Sequence, residues 1–474
     1  MITVQEMNHM GLPNHPRVMP LALKALNIAA ASGHDRALLL ERLARLAAEP
    51  ASFVEDEIMG EVARAMTEYF PQGSVYVERA EPAAWRCYGE INLDESAVRQ
   101  MEAACRLPIS VRGALMPDAH TGYGLPIGGV LAVRGAVIPY AVGVDIACRM
   151  RLTVTDLPLD RLEKGREELI AALEKETRFG LGAAFEWPHR RQHAVMDGDW
   201  SVSPVTAARR DKAARQLGTS GGGNHFVEFG ELSLSEPGLG LEPGVYLALL
   251  SHSGSRGTGE SVALHYSELA LQLRPGLPEQ LRHLAWLDLD SDPGREYWAA
   301  MELMGRYASA NHELIHNHVL QATGAQALSF VENHHNFAWR EEHDGETVIV
   351  HRKGATPASA GTLGVVPGSM GAPGFVVRGR GCADALNSCS HGAGRLMSRT
   401  AALKKFTSEE VAAFLKKKRV HLISGGLDEA PMAYKDINEV MAAQSDLVDI
   451  LARFDPRLVK MAPPDGRGRR GKRK

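Results

Sequence analysis

Residues 128–150 read GGVLAVRGAVIPYAVGVDIACRM, two short apolar runs broken by glycine and proline and ending in a polar turn that carries Asp145 and Cys148. Apolar runs of this length, rich in valine and isoleucine and bounded by glycine, are the pattern of buried strands. The whole stretch to Val142 is therefore expected to be strand. VYLALLSHSG at 245–254 repeats the pattern and again ends in a polar cluster. Between such runs, apolar residues return at helical spacing near 158–177, 260–272, 293–322 and 407–418. The mixture predicts an α+β fold, mixed sheets with flanking helices. Further toward the N-terminus the period is purely helical: Leu21, Leu23 and Leu26, then Leu38, Leu40, Leu43 and Leu46, with breaks at Gly33 and Pro50. The chain thus divides into a helical N-terminal extension (1–85), a main body (86–462) and a basic tail (463–474) expected to be disordered. No internal repeat at a solenoid period is present.

With 474 residues, 45% of them apolar, the chain has material for a large core. A net charge of −4 gives no bulk attraction to nucleic acid, so a polyanionic partner would have to meet local basic clusters. One such cluster lies in the tail, where Arg467, Arg469, Arg470, Lys472, Arg473 and Lys474 alternate with glycines. The five cysteines show no disulfide-framework spacing, there is no signal-like leader, and no apolar run approaches the length of a membrane span. The expected location is the cytoplasm, with no membrane partner and with Cys148 kept reduced.

Short polar clusters in glycine- or asparagine-rich loops each hold a metal-grade ligand: Asp145 and Cys148, His225 in GGGNHFVE, His252 in SHSGSRG and His335 in NHHNF. Alone, the D-x-x-C would read equally as a buried cysteine beside a capping aspartate. With three histidines in similar loops, one carboxylate, one thiolate and three imidazoles could hold two divalent ions. Paired ions suit in-line displacement at phosphorus, where attacking and leaving oxygens both need charge stabilisation. GTSGGGNHF resembles a phosphate loop but lacks the lysine-serine/threonine ending. No lysine-aspartate-glycine signature of lysine-adenylating ligases is present either. That makes His391, in SHGAGR at 390–395, the candidate covalent nucleotide carrier, because neutral imidazole is a competent nucleophile, the other reading being a packed loop histidine. A rival pattern is His312-Glu313-Leu314-Ile315-His316, which matches the H-E-x-x-H of zinc peptidases. Against it, YASANHELIHNHVLQA reads as an amphipathic helix with Tyr307, Ile315 and Leu320 inward.

From about Cys87 to Lys460 the sequence resembles the RtcB family of GTP-dependent RNA ligases, in MPDAHTGYGLPIGGV, GAVIPYAVGVDIAC, GTSGGGNHFVE, LLSHSGSRGTG, HHN, RKGA, VVPGSMGAPGFVVRG, SCSHGAGRLMSR and PMAYKDINEVMAAQSDLV. The resemblance implies a dinuclear Mn(II) centre bridged by Cys148, one ion completed by His225 and His252 and the other by Asp145 and His335. It implies that His391 takes GMP from GTP, and that RNA ends bearing a 3′-phosphate or 2′,3′-cyclic phosphate are joined to 5′-hydroxyl ends. Asn224 and Asn336 would contact phosphate or RNA ends. Phe226, Val227 and Glu228 would lie along the nucleotide, with Glu228 accepting from the guanine edge. Pro367, Gly368, Ser369 and Met370, with Gly392, Ala393 and Gly394, would line it, and Tyr434 would stack on guanine. Arg256, Lys353 and Arg395 would hold phosphates, and Lys460, aligned across a one-residue gap, would reach the guanine. Asp118 and His120 form a D-x-H motif near the site. Two positions depart from the family pattern: Arg149 replaces the glycine after the metal cysteine, and Gly374 replaces a serine. Other readings are a nucleotidyltransferase that caps 3′-phosphates with GMP without sealing, and an RNA-binding protein that keeps the metal site for stability. An activating protein is a further partner that the resemblance allows.

Overall fold

The computed structural model describes residues 2–10, 12, 17–69, 76–89, 93–180 and 182–463, so the basic cluster from Arg467 onward lies outside the described residues. Two sheets carry the main body. The first has five strands in the order Ala84–Cys87, Ser110–His120, Ile127–Val133, Glu346–Lys353 and Asn336–His343. The second runs Leu363–Val366, Gly374–Gly379, Val448–Met461, Phe226–Leu234, Gly244–Ser253, Arg149–Thr155 and Ala327–His334, with His421–Ser424 paired to Val448–Met461 as an eighth strand. Its two ends approach each other, where the amide of Val365 donates to Asn333 Oδ1 at 2.8 Å, so the sheet is nearly closed.

The flanking helices end where their sequences stop them. The longest, Asp292–Thr323, is capped by the Ser291 side chain, carries a proline in its first turn and is closed by Gly324 at φ 71°. Ser408–Lys417 starts with a reciprocal capping box between Thr407 and Glu410. Among the described residues no helix is long and apolar enough to cross a membrane.

Among the described residues, four helices, Val4–His9, Met19–Ala31, Arg36–Ala48 and Gly60–Tyr69, form the N-terminal layer and bury a cluster of their own around Met7, Leu26, Leu43, Leu46, Met59 and Met66. Leu39, not Leu38, is the buried partner of Leu43, because it lies four residues before it on the same helical face; Leu38 and Leu23 are exposed. Two other expectations need correction. Pro139–Val142 is a short helix rather than the end of a strand, because a proline that cannot donate opens a helical turn more readily than it continues a ladder. The 158–177 segment is two helices, Arg161–Lys164 and Arg166–Glu176, interrupted at Gly165.

Strand register collects the polar clusters. Met150 and Phe226 both pair with His252, and Arg149 pairs with Ser253 on one side and His334 on the other. Cys148, His225, His252 and His335 therefore fall at one end of four neighbouring strands. His335 is the single residue between Ala327–His334 of the second sheet and Asn336–His343 of the first, so the site lies where the chain passes from one sheet to the other.

Arg352 ties this junction together. It is fully buried, donates to Glu341 Oε1 (2.6 Å), Ser388 Oγ (2.8 Å) and the Leu386 carbonyl (2.8 Å), and so fixes the segment that leads into His391. Arg352→Met leaves the Glu341 carboxylate with His343 alone (2.9 Å) and frees the Ser388 and Leu386 acceptors, and is expected to cost about 3 kcal/mol, read as a lower urea midpoint.

Candidate functional site

At the shared strand ends, donor atoms crowd together. Cys148 Sγ lies 3.0 Å from His252 Nε2 and 3.4 Å from His225 Nε2; His225 Nε2 lies 3.0 Å from Asp145 Oδ2, and His252 Nε2 lies 3.3 Å from His335 Nε2. All three imidazoles are buried. Burial, with His225 and His391 nearby, pushes His252 well below the ordinary histidine range, and burial with His391 and His252 does the same to His335. Both are neutral and have a lone pair to give. The Asn224 carbonyl lies 3.2 Å from His252 Nδ1, which is the arrangement that keeps the proton on Nδ1 and leaves Nε2 free. Burial, and the nearby carboxylate of Asp145, push the Cys148 thiol well above its usual range. A bound cation reverses that preference by stabilising the thiolate.

These residues suit a metal. Cys148, His225 and His252 place their ligand atoms within 4.8 Å of one another, and the Nδ1 atoms of His225 and His335 are buried with no hydrogen-bond partner among the described residues. Two glycines make the approach possible. A side-chain carbon at Gly254 would overlap the Asp145 carboxylate, and one at Gly221 would overlap His225 Nδ1.

His391 stands beside this cluster, its ring centroid 5.0 Å from that of His335. Asp118 Oδ2 accepts from His391 Nδ1 (2.6 Å) and from the amides of His391 (3.1 Å) and Gly392 (3.3 Å). Burial alone would raise the Asp118 carboxyl, but His391 and Lys435 hold it below the usual carboxylate range. With Nδ1 held against a carboxylate, Nε2 is the ring nitrogen left for other contacts. Asn336 braces the junction by donating to the Asp145 carbonyl (3.2 Å) and accepting from the Gly354 amide (2.8 Å).

A cavity of about 940 Å³ opens over both groups. Its wall includes Asn224, Phe226, Glu228, Lys353 and Tyr434, the loop from Pro367 through Met370, and Gly392, Ala393 and Gly394. Burial holds the Glu228 carboxyl well above the ordinary range, and burial pulls the Lys353 ammonium down to about 7. Gly374 also lines the cavity. A Cβ there would lie 3.3 Å from Pro367 Cα and 3.4 Å from the Val366 carbonyl, so a serine would need only a small adjustment.

Several expected residues lie elsewhere. Val227 alternates away from Phe226 and Glu228 into the apolar core. Lys460 points to the opposite side of its strand from Val459 and Met461, donating to the Leu173 carbonyl at 3.0 Å at the end of the Arg166–Glu176 helix. Arg256 lies beneath the glycine loop, engaged with Thr219 Oγ1 (3.1 Å) and the Gly180 carbonyl (2.8 Å). Arg395 lines the cavity but spends its donors on Glu429, Tyr434 and the Asp428 and Met397 carbonyls. Arg149 turns away from the metal-grade cluster to pair with Glu332 and to contact His334 Nδ1 at 3.3 Å. The H-E-x-x-H segment is helix-to-sheet packing: Ser251 Oγ meets His312 Nδ1 (2.7 Å) and His316 Nε2 (2.8 Å), Thr153 Oγ1 meets His316 Nδ1 (2.7 Å), and Glu313 points outward to His193.

Two residues that sequence reasoning passed over hold the cavity wall. Buried Glu429 accepts from Arg395 (2.8 Å), Arg399 (2.8 Å) and the Tyr434 hydroxyl. Lys435 donates to the carbonyls of Pro117 (3.0 Å) and Ala119 (2.8 Å), on either side of Asp118. Both adjoin or lie within the PMAYKDINEV stretch, which was the available signal.

Residues 100–461 match the family model described as tRNA-splicing ligase RtcB. The RNA-splicing ligase RtcB of Escherichia coli K12 is 34% identical over 388 residues, 76% of this chain and 93% of that protein. The tRNA-splicing ligase RtcB of Methanococcus maripaludis is 31% identical, covering 74% of this chain and 87% of its own length. The RNA-splicing ligase RtcB of Mycobacterium tuberculosis is 32% identical, covering 75% and 98% respectively.

Gly221→Ala and Gly254→Ala should each weaken binding of a probe ion, cobalt(II), by at least about tenfold through displacement of His225 and Asp145. Isothermal titration reads the affinity, and Glu313→Gln should leave it unchanged.

Proposed function

Because this chain belongs to the RtcB family of RNA-splicing ligases, we propose that it is a GTP-dependent RNA ligase that joins 3′-phosphate or 2′,3′-cyclic-phosphate ends to 5′-hydroxyl ends through a guanylylated His391. The observation that carries the reading is the 2.6 Å contact between Asp118 and His391 Nδ1, which leaves Nε2 as the ring nitrogen available at a cavity of about 940 Å³ beside a cluster of metal-grade donors.

His391 Nε2 attacks the α-phosphorus of GTP, forming the N–P bond as the bond to pyrophosphate breaks. Asp118 stabilises the positive charge that develops on the imidazole. A 3′-phosphate oxygen of RNA then takes GMP from His391, and the activated phosphate is attacked by the 5′-hydroxyl with loss of GMP. A cyclic phosphate is first opened by water. Cys148 with His225 and His252, and Asp145 with His335, would hold two divalent ions, Mn(II) in this reading. Such ions supply charge neutralisation on phosphate oxygens when bound. Glu228 is the carboxyl available to the guanine edge, and Tyr434, held by Glu429, is the ring available to its face. Asn224 and Lys353 face the phosphates from the cavity wall. A cytoplasmic location, in which Cys148 stays reduced, belongs to the same reading.

The test supplies the Mn(II)-loaded protein with GTP or ATP and two RNA strands, one ending in 3′-phosphate and one in 5′-hydroxyl. A sealed strand with GTP alone is expected. A strand capped with GMP but never sealed would replace ligation by nucleotidyl transfer, and no modified strand would overturn both. Asp118→Asn, which keeps the shape but frees the Nδ1 proton, should lower kcat by at least about a hundredfold.

The pH dependence follows from Lys353. Its ammonium is charged below about 7 and neutral above, and holding a phosphate needs the charged form. KM for the 3′-phosphate strand should therefore rise as pH increases through 7, and Lys353→Arg should flatten that rise.

A further inference from the structure

At the rim of the cavity, the turn after the strand Ser110–His120 presents Tyr123 between Gly122 and Gly124. Its backbone is clamped from the helix Glu95–Cys105 and its cap. The Thr121 amide donates to Asp94 Oδ2 at 2.9 Å and its hydroxyl donates to the same oxygen, while Gln100 pairs with both sides of Gly122, at 2.6 Å to the carbonyl and 3.0 Å from the amide. Gly124, at φ +69°, lies so close to the His283 carbonyl that a Cβ would come within 2.6 Å of it. The turn is fixed, yet the Tyr123 side chain is 67% exposed. Its ring touches Tyr140 and His283 edge to face, with centroids 6.3 and 5.5 Å away. An aromatic ring held rigidly in water pays no ordering entropy when a flat partner covers it.

The phosphate-binding side of the cavity adjoins this ring. Lys353 Nζ donates to the Tyr123 carbonyl and lies 5.4 Å from the Tyr140 ring centroid. The next residue, Gly354, packs against the nucleophile, since a Cβ there would lie 3.2 Å from His391 Nδ1. Ring, ammonium and imidazole thus line one wall of the same cavity.

We propose that Tyr123 is the stacking platform for the base of the RNA nucleotide that bears the 3′-phosphate, with that phosphate at Lys353 beside His391. The inference rests on the reading that RNA 3′-phosphate ends react in this cavity. A single-stranded RNA end offers an unpaired base and a phosphate one nucleotide apart, the two groups that this wall is equipped to meet. Stacking on a tyrosine face tolerates every base, so Tyr123 fixes the position of the end without selecting its sequence.

The experiment compares two labelled RNA strands that differ only in whether the 3′-phosphate nucleotide carries a base or is abasic. Binding to the Mn(II)-loaded, full-length protein is read by fluorescence anisotropy, and joining to a common 5′-hydroxyl strand gives KM and kcat. Removing the base should weaken binding and raise KM by on the order of tenfold, with kcat nearly unchanged. Tyr123→Ala should lose about as much with the ordinary strand and no longer distinguish it from the abasic one, whereas Tyr123→Phe should recover both. Labelling of His391 from GTP uses no RNA, so Tyr123→Ala should preserve it. Full discrimination by Tyr123→Ala would overturn the proposal, as would an effect that follows an abasic 5′-hydroxyl nucleotide or appears as a raised KM for GTP. If the unaltered protein forms no GMP adduct, the ligase reading fails on that result, while anisotropy still decides whether Tyr123 holds the base.

Discussion

The structure depends on bringing a thiol and three imidazoles, all out of water, together with a half-buried carboxylate at one end of four adjacent strands. Such groups cannot be buried in their charged forms without partners. Burial therefore keeps His252 and His335 neutral and makes the Cys148 thiolate costly, which leaves the cluster short of cationic charge. A bound metal ion would meet that shortage. The strand pairing carries the cluster as much as the ligands do: a one-residue slip of Arg149–Thr155 against Gly244–Ser253 would turn every side chain of that strand to the opposite face and separate Cys148 from His252.

His391 shows the same economy from the other side of the cavity. One carboxylate oxygen of Asp118 receives the imidazole and two backbone amides, so ring orientation and loop position are set together. Lys435 grips the carbonyls on both sides of Asp118, and Arg352 anchors the segment that precedes His391. His391 thus stands on a support of buried charges from three separated stretches of chain. This arrangement preorganises the site before any substrate enters.

Much of this was legible in the sequence, for physical reasons. Asp145, Cys148, His225, His252 and His335 were readable because each sits at the end of an apolar run, flanked by residues that strands and helices avoid. The α+β class followed from the change between two apolar periods. What escaped was the direction in which a side chain points. Lys460 and Val227 occupy the right strands but alternate to the wrong face, and Arg149, adjacent to a metal-grade cysteine, crosses to the far side of its strand to meet Glu332. His312 and His316 have zinc-peptidase spacing, yet the sheet supplies Ser251 and Thr153 as their partners. Glu429 and Lys435 act on neighbours distant in the chain, and no local period marks such residues.

In the proposed reaction everything passes through a nucleotide carried on His391. The direct measurement is to incubate the Mn(II)-loaded protein with α-labelled GTP, digest it, and locate the label by peptide mass spectrometry and by its stability to acid. The account predicts an acid-labile phosphoramidate on the peptide containing His391, absent when ATP replaces GTP. A label mapped to a lysine such as Lys353, an acid-stable label on a hydroxyl side chain, or a label that persists in His391→Ala, would contradict it.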